Sequence, residues 1–504
     1  MIGKPGSSCA CSCGCGSGRG RMARRDFLAA APVMAAGASL ALGALEQMVA
    51  ASDPPSPQTV GAPKRPATVK LGIIRPRGPY SSCWPGHGYN HDTHCAEYLS
   101  RLKQLGKELG MNLAIGPDAV LYEGEPLKPF VEATKAQKPD ALLLLVLSQW
   151  LWQKADQALK ALGDLPTLIF SPIGGSFNTS TNAFVHRRGC CLVTSNDICD
   201  MRGPLEMVKA ATILRQSVVL VFSEKREDAT YSPLRTTLRF IPWQEYKSAY
   251  LGMAITEPMR RIAEEYSKRA KAIRDDLTLQ DITHAAKHYF VSKKLLAAAG
   301  ADGITGHCLA FTAECGTPCL AFLKLNDEGI PAGCEGDLGG MMALMLGRHL
   351  LQLPGFMGDP FIDTVHNYYG NAHCTCPTKL SGYDGPSAEF VLRHHNAEGK
   401  YPAVGTQILW PVGQQITLVK FQGPNTLIVD RAKVACNYEI PPSGTCVTSV
   451  GMIVEGAEDD PSKVGGFHVL QFYGDHVRKL RQFCQLYGIE VKRTIEAPVG
   501  IFMG

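Results

Sequence analysis

Short apolar runs recur along the chain, separated by stretches in which apolar residues return every three or four positions. Residues 69–75 form a strand candidate, followed by a helical pattern over 97–109. Residues 141–147 are almost continuously apolar, as a strand buried on both faces requires. A helix over 153–162 then leads to a strand at 167–171. The alternation restarts near residue 201, with a helix over 205–214 and a strand at 217–222. Over 258–275, Met259, Ile262, Ala263, Tyr266, Ala270 and Ile273 share one helical face, and charges of both signs share the other. A helix over 281–299 enters a strand at 303–311. The last hundred residues change character. Short β runs at 407–410, 415–421, 426–430 and 446–453 are separated by Pro and Gly. A strand at 468–472, a helix over 475–487 and a run at 489–492 close the chain.

This pattern predicts an α/β protein: two doubly wound Rossmann-like domains, over 68–200 and 201–352, then a β-rich C-terminal domain, a small barrel, over 353–504. Ahead of them, 52–67 (Ser-Asp-Pro-Pro-Ser-Pro and onward) reads as an extended linker. Residues 1–51 read as a signal region. Arg24-Arg25-Asp26-Phe27-Leu28 precedes an Ala-rich apolar run to about Leu45, which resembles a Tat export signal and implies the Tat machinery as a partner. Val49-Ala50-Ala51 offers small residues for cleavage, and the mature chain would begin at Ser52, periplasmic or extracellular. The alternative is a membrane anchor formed by an uncleaved signal, which Pro32, Gly37 and Gly43 weaken. Cys9, Cys11, Cys13 and Cys15 lie in a Gly/Ser-rich tract upstream of Met22, itself a natural start.

The 504 residues are 45% apolar and 19% charged, which suits a folded protein with a large core. The net charge of +5 falls to +2 outside the signal region, where 46 basic groups face 44 acidic ones. No polybasic run remains, so nucleic-acid binding has no electrostatic support. The fourteen cysteines beyond residue 21 are spread thinly and do not read as a disulfide framework. Gly-x-Gly-x-x-Gly, the phosphate-binding Gly-Lys-Ser/Thr loop, Gly-x-Ser-x-Gly and His-Glu-x-x-His are all missing.

What remains is a carboxylate pair. Glu314 follows the strand at 303–311. The run 319–325, a turn at Asn326-Asp327-Glu328-Gly329 and a strand at 330–334 come next, ending at Glu335-Gly336-Asp337 before an apolar helix over 338–350. Ligands bind at the C-terminal ends of strands in α/β folds, where two hard oxygen ligands suit Mn²⁺ or Mg²⁺. The bland readings are an N-cap for Asp337 and a solvated loop for Glu314. His468, in Gly-Gly-Phe-His-Val-Leu, is a third candidate. His373, in Asn-Ala-His-Cys-Thr-Cys-Pro, is a fourth; Cys374 and Cys376 beside it hint at a soft site but supply too few ligands for a zinc centre. Trp84, near His87, His91, His94 and Cys95, offers either a flat face for a sugar ring or an ordinary core anchor.

The stretch from Ala313 to Leu351, with Ala-Glu-Cys-Gly-Thr-Pro-Cys-Leu and Gly-Cys-Glu-Gly-Asp-Leu-Gly-Gly, resembles the metal-site region of the L-fucose isomerase family. The closing stretch with Tyr473-Gly474-Asp475 and Gly488-Ile489-Glu490-Val491 resembles that family's end. The resemblance implies Mn²⁺ held by Glu314, Asp337 and His468. Glu314 and Asp337 would relay protons as an open-chain aldose and ketose interconvert through an enediol, with His373 as a substrate contact; the sugar-binding reading of Trp84 rests on its ring alone. It also implies a monosaccharide substrate and a homo-oligomer. An export signal is a departure, since free-sugar isomerases of that family are cytoplasmic. It leaves a second reading, an exported sugar- or glycan-binding protein on the same fold. A third is other metal-dependent chemistry at the same site, such as epimerisation.

Overall fold

The computed structural model describes residues 60–82, 88–224, 227–395, 403–439, 446–466 and 468–496, all within one compact unit. The signal region 1–51, residues 52–59 and Trp84 lie outside the described residues. The described part of the linker, 60–67, has no helix or strand, yet it is tied down. Lys64 pairs with Asp302 at 2.9 Å and Arg65 with Asp140 at 2.7 Å.

The first sheet is wholly parallel. Its strands are β1 (Thr68–Arg75), β2 (Asn112–Ala114), β3 (Val120–Tyr122), β4 (Ala141–Val146), β5 (Thr167–Ser171) and β6 (Cys190–Thr194), in the order β2-β1-β4-β5-β6, with β3 farther along the β2 edge of β1. Period-two alternation sends the strand side chains to two cores. Leu143 and Leu145 join Leu102 and Leu105 of helix α1 (His91–Leu109) and Met207 and Leu214 of α4 (Arg202–Gln216). Leu142, Leu144 and Val146 join Phe130 of α2 (Lys128–Gln137) and Trp152, Ala155 and Leu159 of α3 (Trp152–Leu162). Helices on both faces explain why 141–147 reads as unbroken apolar sequence.

The second sheet holds β7 (Val218–Ser223), β8 (Ala229–Tyr231), β9 (Thr236–Pro242) and β10 (Gly303–Gly306) in the order β8-β9-β7-β10, with only β8 antiparallel. Helix α6 (Leu279–Ala299) matches its periodic pattern, whereas the helix read over 258–275 is α5 (Glu257–Arg269), which stops where Ala270 turns extended, and Ala272–Ile273 pairs as a short strand with Ile273 exposed. The strand read at 303–311 stops at Gly306, where a Cβ would sit 2.2 Å from the Phe222 carbonyl oxygen, and a 3₁₀ turn, Cys308–Phe311, follows.

Residues 319–325 form helix α7 (Cys319–Asp327), and one further reading is corrected. The strand expected at 330–334 is reduced to a single bridge between Ile304 and Ala332. On its other edge the Asn326 side chain replaces a neighbouring strand, donating to the Ala332 carbonyl and accepting from its N–H, both at 2.9 Å.

The C-terminal part is a closed six-stranded antiparallel barrel. Its strands are β11 (Phe356–Asp363), β12 (Tyr368–His373), β15 (Gln415–Phe421), β16 (Thr426–Asn437), β17 (Thr448–Val454) and β18 (Val469–Tyr473). They run β15-β18-β11-β12-β17-β16 and back to β15. Between β12 and β15, strands β13 (Phe390–His394) and β14 (Val404–Ile408) form a side sheet. Helix α8 (Leu338–Leu346) is apolar on nearly all sides because it is surrounded. Met341, Met342 and Leu344 share one core with Met207 and Val208 of α4 and with Met357, Phe421, Leu470 and Phe472 of the barrel. Each such fully buried side chain contributes about 1.5–3 kcal/mol, so α8 binds the parallel layers to the barrel.

Candidate metal centre

The centre forms where the chain leaves the second sheet and enters α8. Glu335 and Gly336 both adopt left-handed backbone, with φ of 57° and 73°. Gly336 does so freely, whereas Glu335 carries strain of about 1–3 kcal/mol, and His468, at φ 54°, carries the same. Strain at two residues that meet in space marks a site the surrounding structure holds in place.

Asp337 is the N-cap of α8: its Oδ1 accepts from the Gly340 N–H at 2.9 Å. Its Oδ2 accepts from His468 Nδ1 at 2.9 Å and meets the Lys420 ammonium. Burial opposes ionisation, but His468 and Lys420 outweigh it and hold this carboxyl well below the usual range. With Nδ1–H committed to Asp337, His468 turns Nε2 toward Asp359 Oδ1 at 2.8 Å and Glu335 Oε2 at 3.3 Å. Asp359 sits on β11 opposite Ala372 of β12, next to His373. His373 Nε2, buried without a hydrogen-bond partner, lies 3.7 Å from Glu335 Oε1. One donor atom from each of Glu335, Asp359, His373 and His468 falls within 4.8 Å of the others.

This group could hold a metal ion. Neighbouring ligand atoms in an octahedral shell lie about 3 Å apart, close to the two separations around His468 Nε2. A carboxylate behind an imidazole is also how metal-binding histidines are oriented. His373 differs, because the Cys374 N–H points at its Nδ1 at 3.0 Å and so places the ring proton on Nε2. Of the four, Glu335, Asp359 and His468 could therefore serve as ligands, with His373 facing them as a hydrogen-bond donor. A cavity of about 660 Å³, lined among others by Glu335, Asp337, Lys420, His468, His307 and Tyr231, opens onto the centre and is large enough for a monosaccharide.

The structure brings Asp337, His468 and His373 near one another, with Asp337 hydrogen-bonded behind His468 and not facing the other carboxylates. It does not bring Glu314 to them. Glu314 is about half exposed on the short helix Thr312–Cys315, paired with Lys247 of the helix Trp243–Leu251, which holds its carboxyl below the ordinary value. Glu335 and Asp359 were not singled out. Glu335 stood inside the quoted Cys-Glu-Gly-Asp stretch, and Asp359 is an acid within an apolar strand, a signal that could have flagged it. His91 begins α1, buried, and burial lowers its pKa to about 4.

Proton competition gives the centre a pH dependence. Burial disfavours charge on His468, but Asp337, Asp359 and Glu335 raise its pKa from 6.5 to about 11 in the metal-free protein. A raised imidazole pKa stabilises the fold fully below about pH 6.5, and that contribution is lost as pH climbs toward 11. A divalent ion must displace this proton, so its affinity is expected to rise by up to about tenfold per pH unit above neutrality, with about one proton released per ion. Isothermal titration calorimetry in two buffers of different ionisation enthalpy reads both quantities. An affinity flat with pH would remove His468 from the ligand set.

No family model matches the chain. A stretch is 35% identical over 99 residues to the sulfoquinovose isomerase of Clostridium sp. (strain MSTE9), covering 16% of this chain and 22% of that protein. The chain thus spans about a fifth of the length of the curated relative it matches.

Proposed function

We propose that this protein is a divalent-metal-dependent isomerase that interconverts an open-chain aldose and ketose through an enediol. The observation that carries the reading is the meeting of Glu335, Asp359, His373 and His468 beside a sugar-sized cavity. The partial likeness to a protein named for sugar isomerisation supports it. Glu335, Asp359 and His468 would hold Mn²⁺ or Mg²⁺, which when bound supplies Lewis-acid polarisation of a carbonyl and its neighbouring hydroxyl.

The chain's own groups then divide the work. Asp337 is already committed to Lys420, His468 and the Gly340 N–H, so it is a poor base and serves to orient His468. Glu335 borders the cavity, so it takes the proton from one carbon and returns it to the next. Lys420, which lines the cavity, presents N–H groups that steady negative charge developing on the sugar oxygens, while His373, which does not line it, faces Glu335 from within the protein.

Proton NMR in D₂O tests this. The Mn²⁺-loaded protein is incubated with a panel of aldoses that includes a sulfonated hexose. The expected result is loss of the C2 proton signal and growth of a ketose. Sugar binding without exchange, at full metal occupancy, would overturn the isomerase reading in favour of a binding protein.

A further inference from the structure

Beyond that centre, a second convergence of metal-binding side chains lies on the other side of His373. Cys319 opens α7, Cys374 directly follows β12, His395 directly follows β13, and Cys446 shortly precedes β17. Donor atoms of Cys319, Cys374 and His395 fall within 4.8 Å of one another, and the first two sulfurs are 2.9 Å apart. The Cys446 thiol is within hydrogen-bonding reach of both Cys374 and His395. All four residues are at most 6% exposed, and His395 Nδ1 is buried without a hydrogen-bond partner.

We propose that Cys319, Cys374, Cys446 and His395 form a closed, four-coordinate zinc site. Three thiolates and one imidazole make a donor set that selects Zn²⁺, whereas the oxygen-rich centre next door suits Mn²⁺ or Mg²⁺. Closure from water makes it structural, since a catalytic zinc keeps one position open. Lone buried cysteines elsewhere, such as Cys190 and Cys484, behave as small apolar side chains. Here the sulfurs of Cys319 and Cys374 converge on an imidazole, with the Cys446 thiol beside it. The ion ties four segments, distant in sequence, to one end of the barrel. It also fixes Cys374, whose N–H sets the orientation of His373.

The test uses the full chain and does not depend on isomerase activity. Zinc is counted by plasma mass spectrometry after dialysis against EDTA, which strips the carboxylate–histidine centre. One zinc per chain is expected in the native protein and in the control Cys199→Ser, with that equivalent lost in Cys446→Ser and in Cys319→Ser. Should those variants fail to fold, refolding the native sequence with Co²⁺ reads the same ligands. Thiolate coordination gives an intense sulfur-to-metal charge-transfer band that the oxygen-rich centre cannot produce. Absence of zinc together with absence of that band would overturn the proposal. So would a Cys319–Cys374 disulfide found by non-reducing peptide mapping.

Discussion

Asp359→Asn is expected to lower sugar C–H exchange by about 10²–10³-fold, the scale of losing electrostatic stabilisation of a developing oxyanion, because a metal held without this carboxylate supplies less of it. The loss should persist at saturating substrate, since Asp359 acts through the centre and does not line the cavity. Glu335→Gln should be at least as severe, because it removes a ligand and the proposed base together. Asp337→Asn should behave differently. Asn can keep its one oxygen for the Gly340 N–H, but its NH2 then replaces the oxygen that accepts from His468 Nδ1 and Lys420, so it neither balances Lys420 nor orients the imidazole. Metal affinity should fall by about 10–100-fold, with exchange largely recovered at high Mn²⁺. Glu314→Gln should leave exchange within about twofold, as an exposed ion pair contributes little. Steady-state exchange at a series of Mn²⁺ concentrations separates these variants. Loss of exchange in Glu314→Gln, with Asp359→Asn active, would return the centre to the residues the sequence alone suggested.

That contrast shows what was legible in the chain. The parallel layers were readable because their strands and helices are periodic and local: 141–147 had to be buried, and Met259, Ala263 and Tyr266 had to pack, although the helix stops before Ala270 and Ile273. The barrel was readable from its short β runs and turns. Glu314 and Asp337 were paired by spacing along the chain, and spacing cannot see a left-handed residue. At Glu335 the positive φ turns the backbone just ahead of α8, so a carboxylate two residues before Asp337 reaches the far nitrogen of His468, Nε2, while Asp337 holds Nδ1. Asp359 joins only because β11 pairs with β12 in a register that sets it beside His373. The thiol cluster was invisible for the same reason. Cys374 and Cys376 were judged too few for zinc, and the other donors come from α7, β13 and the approach to β17. The expected strand at 330–334 failed on one side chain, because Asn326 satisfies Ala332 as a strand would.

The second large effect is on stability. Asp327, at the end of α7, accepts from the Thr378 and Lys379 N–H groups at 2.7 and 2.9 Å and from the Thr378 hydroxyl at 2.6 Å. Burial pushes its pKa up against these bonds, so its environment tolerates the carboxylate only while all three donors are present. Asp327→Ala strands two backbone N–H groups and a hydroxyl at once, and is expected to cost about 3–5 kcal/mol. Asp327→Asn keeps an oxygen for both N–H groups and turns its amide to a hydroxyl that can also accept. Its cost should stay near 1 kcal/mol. Urea unfolding of the metal-free protein measures both. The loss should reach the metal centre, because Thr378 follows His373 by five residues through the Cys374-Thr375-Cys376-Pro377 turn. A backbone released at Thr378 no longer fixes where His373 points. Asp327→Ala should therefore weaken Mn²⁺ binding and depress exchange even at temperatures where it remains folded, whereas Asp327→Asn should do neither. An alanine variant that loses stability yet binds Mn²⁺ and exchanges normally would show that the centre is held by the barrel strands alone.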